Sequence, residues 1–484
     1  MPALRTDLDI LDPAVLQDVV TGQLRLSPAQ AMRLYREMPI QDLGRWADAR
    51  CRFVHGDHIR TYVIDRNINY TNICTARCTF CAFRRDGDED DAYTLDHDAL
   101  LMKIQELSDI GGTQILMQGG MNPHLPLDWY IELLTSIKSR FPHVHIHAFS
   151  PPEIVEFVRF FNAPGGDLDA QVRWVMQRLK RAGLDSVPGG GGEIFAHHVR
   201  RKIGLGKCDA HQWLTVMRIA HELGMNTSAT MMFGHIEGIA DRIHHMELVR
   251  SWQDRSIADF ASDGGGRYKA FISWPFQREN TPLGRAKEWG EVEGDDLSQP
   301  FPGDAMANEL FGDLEQWQPG DWGTDHDRSP NQHVAKSPDS LFGRRVRMSG
   351  ASDYLRTQAI SRLYLDNIYS TGASWVTMGP NIGQVALHYG ANDMGSVMME
   401  ENVVSAAGTT YCLNEPMLCR LIRDAGFMPA QRNNEYNLLK VHDGGDSPDL
   451  RVKDWSTLRA QALHVQTKKS EAEAIPLTVS ANPS

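Results

Sequence analysis

Three of the seven cysteines, Cys74, Cys78 and Cys81, fall within eight residues and are spaced C-x3-C-x2-C, with no fourth cysteine nearby. Thiolates are soft ligands that suit iron–sulfur clusters, zinc and copper(I). A [4Fe–4S] cube offers one ligand position on each iron, so three cysteines leave one iron open. An open metal position marks chemistry rather than scaffolding, the logic that separates catalytic from structural zinc. Structural zinc normally recruits four ligands, and no C-x2-C or H-x3-5-H partner lies close by. Disulfides suit an oxidising compartment. The N-terminal run Met1-Pro2-Ala3-Leu4-Arg5-Thr6-Asp7 has no basic-then-apolar leader pattern, which sets the expectation of a reducing cytoplasm. Cys51, Cys208, Cys412 and Cys419 show no ligand-like clustering and read as ordinary thiols.

A reactive cluster needs a scaffold that places a loop beside a cavity. Strand-like runs at 61–65, 113–117, 144–148, 184–187, 226–232, 268–272, 373–377 and 394–397 alternate with helical patterns. The helices are expected near 100–107, 127–138, 154–160, 172–181, 194–202, 211–223, 242–252, 354–365 and 384–389. Such alternation argues for βαβ units and an α/β fold, a TIM-type (β/α)8 barrel, with a doubly wound open sheet as the runner-up. In a barrel the active face is built from loops at the C-terminal strand ends, and the cysteine loop follows the first strand.

The same rule turns other strand-end segments into candidates. Gln118-Gly119-Gly120 ends the second strand and permits close backbone approach to a ligand, although an ordinary turn reads the same way. Ser150 and Glu153, in Phe149-Ser150-Pro151-Pro152-Glu153, are either a helix cap or pocket residues. Glu193 ends the glycine run 188–193, which lacks the Lys-Ser/Thr of a phosphate loop. His235, in Gly234-His235-Ile236-Glu237, is either structural or substrate-facing, and His-x-Glu lacks the cysteine pair of a zinc deaminase. Trp274-Pro275-Phe276-Gln277 and Glu400-Glu401-Asn402 are similarly placed. Glu153, His235 and Glu401 are the candidate catalytic groups.

Residues 1–58 read as a helical cap. Ser27-Pro28 supplies an N-cap and a first-turn proline, and Ala31, Leu34, Tyr35 and Met38 form one buried stripe. The barrel is expected over 59–286 and 351–435. Between them, 287–350 is acidic and rich in Gly and Pro, an insertion after the sixth strand. Residues 436–484 form a C-terminal extension whose tail, from Lys468, is polar and expected to be disordered. With 484 residues, 42% of them hydrophobic, the chain can bury a large core. A net charge of −13 disfavours nucleic-acid or anionic-membrane surfaces, and no apolar run reaches the ~20 residues of a membrane span.

Together these segments resemble the menaquinone-biosynthetic branch of the radical S-adenosylmethionine (SAM) enzymes. The stretches that carry the resemblance are 65–72 (DRNINYTN), 114–120 (QILMQGG), 148–154 (AFSPPEI), 392–396 (NDMGS) and 400–405 (EENVVS). The resemblance implies a [4Fe–4S] cluster on Cys74, Cys78 and Cys81, with SAM on the open iron. It implies SAM contacts from Phe80, Gln118, Gly119, Gly120, Ser150 and Glu193. The arginine that often holds SAM's carboxylate has no secure match, Arg200 and Arg201 being the options. It further implies an electron donor such as flavodoxin or ferredoxin, and a futalosine-pathway substrate. That substrate is dehypoxanthine futalosine, cyclised after hydrogen is taken from ribose C4′. Arg84 and Arg85 are then options for the substrate's benzoate carboxylate. The sister activity that adds an adenosyl group to an enolpyruvyl-benzoate is the alternative, and an iron–sulfur electron-transfer protein is the non-enzymatic one.

Overall fold

Short strand-forming runs, each closed by Gly, Pro or a helix cap, become the parallel staves of an α/β barrel. A computed structural model describes residues 3–5, 7–56, 58–260, 262, 264–311 and 341–458. The first stave is broken at Ile64 into Ile59–Val63 and Asp65–Ile68. Its first half lies between Asp393–Ser396 and Met428–Arg432, and its second half pairs with Gln114–Met117, Asp65 opposite Gln114. Gln114–Met117 pairs with His145–Ala148, Thr227–Phe233 with Tyr268–Pro275, and Tyr268–Pro275 with Ser370–Gly372. Ser370–Gly372 returns to Asp393–Ser396, and every one of these pairs is parallel. The remaining gap is spanned by the bridges His147–Ser186 and Val187–Thr227. Followed round, the pairing closes on itself.

Two expected strands differ from the observed ones. Residues 184–187 supply only those two bridges, because Pro188 lacks an N–H and the glycines after it leave the ladder at once. Residues 373–377 are not a strand. The stave is Ser370–Gly372, and Trp375–Met378 is a helical turn entered where the Ser374 and Thr377 hydroxyls meet at 2.7 Å. A short apolar run carries no periodicity that separates strand from helix.

The helices follow their expected stripes. His97–Asp109, Leu168–Ala182 and Ala210–Glu222 begin on Asp96, Asp167 and Asp209, whose carboxylates accept from first-turn N–H groups. Pro28–Glu37 starts at Ser27 with a reciprocal Gln30 cap, and Ala31, Leu34, Tyr35 and Met38 are all buried. This helix and Ile40–His55 pack on Ala351–Tyr364, and Arg25 binds both Asp254 (2.6 Å) and Asp366 (2.7 Å). Within 287–350 the strands Lys287–Glu288 and Arg345–Val346 pair with each other and with no barrel stave, and Pro302–Phe311 packs on Ile239–Phe260. Part of that segment, and the tail from Lys468, lie outside the described residues. Cys51, Cys208, Cys412 and Cys419 are buried. No described helix is long and apolar enough to cross a membrane.

The C-terminal hairpin Met428–Arg432 and Leu438–Val441 straddles residue 435. Its connection stoppers the N-terminal end of the barrel. Arg432 makes a two-pronged pair with Asp393 (2.6 and 2.9 Å), Asn434 reaches His145 (2.8 Å) and Ser186 (3.2 Å), and Glu435 accepts from Asn226 (2.6 Å).

Candidate active site

A cavity of about 470 Å³ runs through the barrel, from Cys74, Cys78 and Cys81 at one end to Arg432, Asn434 and Tyr436 at the other. The cysteine loop is held by backbone bonds to distant segments. Cys74 N–H donates to Arg85 O (3.1 Å), Thr75 to Met121 (3.1 Å), Arg77 to Leu205 (2.8 Å) and Thr79 to Ile203 (2.8 Å). The three cysteines are half-buried and free. Burial raises the Cys74 thiol and pushes Cys78 up to about 12, Lys207 working against the latter. Among the described residues no three His, Cys, Asp or Glu side chains converge on a single-ion site. Ligands of a cube bind different irons and must stand apart.

Gly119 and Gly120 seat the second stave's end against this loop. A Cβ on Gly120 would stand 2.2 Å from Ile73 O and 3.0 Å from Cys74 Cβ, and one on Gly119 would meet the Tyr70 ring at 2.6 Å. Here glycine is required by close approach. Glu153 secures that contact. Its carboxylate accepts from Tyr70 Oη (2.7 Å), Gly119 N–H (3.1 Å), Ser150 N–H (2.8 Å) and Ser150 Oγ (2.6 Å). Burial raises its pKa while these donors pull it down. With four donors placed, Glu153 caps a helix and positions Gly119, and its acceptor capacity is spent.

Glu193 enters the cavity from a left-handed backbone (φ +37°), a conformation that costs a non-glycine residue about 1–2 kcal/mol. Its carboxylate binds Lys207 Nζ at 2.7 Å. Lys207 stands 5.0 Å from the Phe80 ring, and Phe80 itself lines the cavity. Burial opposes the Lys207 charge, yet Glu193 and Cys78 raise its pKa overall. Lys207 was not legible in the sequence as a site residue. A lone lysine in a Gly-Leu-Gly-Lys loop has no signal, and only the backbone pairing of 203–205 with the cysteine loop brings it in. Of the two arginines left open for SAM's carboxylate, Arg200 spends its guanidinium on the carbonyls of Cys208, Gly191 and Gly192 at 2.7–2.9 Å, and Arg201 is exposed.

His235 does not reach the cavity. It is fully buried at 2.9 Å from Glu237, its own carbonyl accepts from Arg347 N–H (2.8 Å), and Ser349 closes over Gly234. The segment preceding Ala351 therefore covers this stave's end. Burial opposes the Glu237 charge, yet His235, Arg242 and the Gly234 N–H hold the carboxyl well below the usual carboxylate range. Glu401 does line the cavity, and it accepts from Asn67 (2.9 Å) and from the Val403 and Val404 N–H groups (2.7 Å each). Burial raises its pKa against those bonds. Arg84 lines the cavity and pairs with Asp86, whereas Arg85 turns to Asp91 (2.7 Å).

The walls differ in chemistry. Asp65, Asn67, Asn69, Gln114 and Gln118 give the first two staves a polar inner face, while Ile272, Trp274, Ala373, Trp375 and Met394 line the other side of the ring. Ordinary barrels fill this space with branched apolar side chains. The chamber therefore offers hydrogen-bonding groups and two indole rings to one ligand, below a thiol-lined mouth.

Residues 68–249 match the Radical SAM superfamily model, and 337–444 match the CofH/MqnC C-terminal region. The chain is 37% identical to the cyclic dehypoxanthine futalosine synthase of Halalkalibacterium halodurans, across 90% of this chain and 97% of that protein. It is 35% identical to the same-named protein of Streptomyces coelicolor (88% and 90%). It is 32% identical to the aminodeoxyfutalosine synthase of Thermus thermophilus (90% and 98%). The [FeFe]-hydrogenase maturase HydG shares the fold, with a TM-score of 0.55 at 11% identity over 87% of this chain and 76% of that one.

Proposed function

The chain belongs to the radical SAM superfamily, in the family that holds cyclic dehypoxanthine futalosine synthase, and from that premise we propose that it cyclises dehypoxanthine futalosine. It is an enzyme whose cofactors are a [4Fe–4S] cluster and SAM. The donor set fits them: three thiols line one cavity mouth, the Gly119–Gly120 segment lines it beside them, and a buried cation stands close by. Cys74, Cys78 and Cys81 hold the cluster. The backbone at Gln118–Gly120 and the hydroxyl of Ser150 receive SAM's polar groups, Lys207 takes its carboxylate, and Glu193 and Phe80 flank its nucleoside.

When bound and reduced, the cofactor pair supplies a 5′-deoxyadenosyl radical, which leaves as 5′-deoxyadenosine carrying the C4′ hydrogen of the substrate's ribose. The protein's work is to hold that C4′ and the benzoate ring within bonding reach while water is excluded. Bond formation between C4′ and the ring would leave a radical that regains aromaticity by losing one electron, back to the oxidised cluster, and one proton, which a side chain must accept. Of the three acids and bases expected from sequence, Glu401 alone faces the cavity with an acceptor position to spare, and its burial-raised pKa suits a proton acceptor. The starting electron comes from a flavodoxin- or ferredoxin-type donor in the cytoplasm.

The observation that carries this reading is a cavity with amide and carboxylate side chains on the first two staves and the Trp274 and Trp375 rings across from them. A sugar joined to a benzoate has that division, whereas the enolpyruvyl-benzoate used by the sister activity brings no sugar of its own. The test is substrate deuterated at ribose C4′, given to anaerobically reconstituted enzyme. Deuterium is expected in 5′-deoxyadenosine as cyclic product forms. Adenosine built into an aminofutalosine-type product, with dehypoxanthine futalosine untouched, sinks the assignment.

A further inference from the structure

The stave Asp65–Ile68 alternates in a way that a packed barrel would not use. Arg66 points outward to Glu400 (2.8 Å) and Ile68 into the outer core, while Asp65 and Asn67 point inward. On the neighbouring stave Gln114 also points inward, diagonal to Asn67 across the register that sets Asp65 opposite Gln114 and Asn67 opposite Leu116.

The amide groups of Asn67 and Gln114 are locked. Asn67 Nδ2 donates to Glu401 Oε2 at 2.9 Å, and Gln114 Nε2 donates to Asp65 Oδ2 at 2.9 Å. Turning either amide over would set its oxygen against a carboxylate oxygen, so the orientation follows from the partners. Both residues line the chamber, and neither Asn67 Oδ1 nor Gln114 Oε1 has a hydrogen-bond partner although both residues are more than nine-tenths buried. Two buried, oriented acceptors on residues that line one chamber call for donors from what fills it, water or a ligand. The carboxylates behind them repel an anionic group, and the uncharged donors that the proposed substrate brings are its sugar hydroxyls.

We propose that Asn67 and Gln114 form a hydroxyl-recognition site that grips the sugar of the substrate through two O–H donors. The inference rests on the substrate reading given above. SAM's ribose is the other source of such hydroxyls, but its cradle is at Gln118–Gly120. Gln114 lies four residues deeper on the same stave, about 13 Å at the rise of a strand, and Asn67, opposite Leu116, two residues deeper, about 7 Å. The depth assigns the site to the substrate.

The test measures equilibrium dissociation constants on anaerobically reconstituted enzyme, for SAM, for dehypoxanthine futalosine and for an analogue lacking one ring hydroxyl. The parent should bind the deoxy analogue about tenfold more weakly than the substrate. Of Asn67→Leu and Gln114→Met, the variant at the acceptor of the missing hydroxyl should bind both alike and weakly. The other should bind both weakly yet still discriminate. The dissociation constant for SAM should be unchanged in each, which also certifies their folding. Two variants that both bind the substrate as tightly as the parent and both discriminate as it does overturn the proposal, and so does weakened SAM binding, which would move the site to the cofactor's ribose. A parent that ignores dehypoxanthine futalosine refutes the substrate reading instead. In that case a neutral sugar probe, methyl β-D-ribofuranoside, takes the substrate's place. Binding that both variants lose keeps the hydroxyl site, and binding that they keep overturns it.

Discussion

Replacing Gly120 by Ala tests the contact on which the cluster loop depends. The new methyl carbon stands 2.2 Å from Ile73 O, 2.7 Å from Ile73 C and 3.0 Å from Cys74 Cβ. Neither side can yield by a rotamer change, because both are backbone. Gly120 N–H is tied to Thr71 O (2.8 Å), its carbonyl accepts from Asn122 N–H (3.0 Å), and Cys74 N–H is tied to Arg85 O (3.1 Å). Real Cβ atoms essentially never approach within 3.0 Å, so the segments must part by at least 0.8 Å, the difference between 3.0 and 2.2. Overpacking of this kind costs about 1–3 kcal/mol of stability. A shift near 1 Å in a group that positions chemistry costs about 10²-fold in rate. The assay is iron and acid-labile sulfide per chain after anaerobic reconstitution, with 5′-deoxyadenosine formation and the urea midpoint of the apoprotein alongside. The expected result is 5′-deoxyadenosine formation lowered about 100-fold in a protein that still folds. Gly166→Ala, where the new Cβ meets nothing within 4 Å, should match the parent. A Gly120→Ala enzyme with the parent's iron content and rate would refute the argument.

Ala at Cys74, Cys78 or Cys81 should abolish SAM cleavage and lower iron content, while Cys208→Ala, buried away from the cavity, keeps both; full cleavage in Cys78→Ala contradicts the ligand assignment. Lys207→Met should leave iron content intact but weaken SAM binding by about tenfold or more, since breaking a buried charge pair costs about 2–5 kcal/mol. Adding Glu193→Gln should restore stability and not SAM affinity; unchanged SAM affinity in the single variant removes Lys207 from the site. Glu237 is held below its unfolded pKa of about 4.3, so its contribution is present above that value and lost as pH falls through the lower folded pKa. Acid-unfolding curves should therefore flatten in Glu237→Gln below pH ~4, and identical curves for variant and parent would exclude this role.

The three thiols were legible because cluster binding is local: spacing within one loop decides which irons can be reached. The glycines at 119 and 120 and the Ser150–Glu153 cap were legible for the same reason, as was the alternation of strand and helix. What sequence could not rank was which of two readings each motif takes. Glu153 and His235 sit at stave ends like Glu401, yet one is saturated by four donors and another is covered by Arg347 and Ser349 from more than a hundred residues away. Lys207 meets Cys78 only because two loops exchange backbone bonds, and Arg432 reaches Asp393 only because a C-terminal hairpin adds to the first stave. The alternation of Asp65, Arg66, Asn67 and Ile68 was plain in the chain, but an inward polar face is distinguishable from a solvated one only when the ring has closed. Local spacing determined the chemistry this chain can hold; long-range register and burial decided which side chains share a chamber with it, because contact between distant segments is a property of packing and not of spacing.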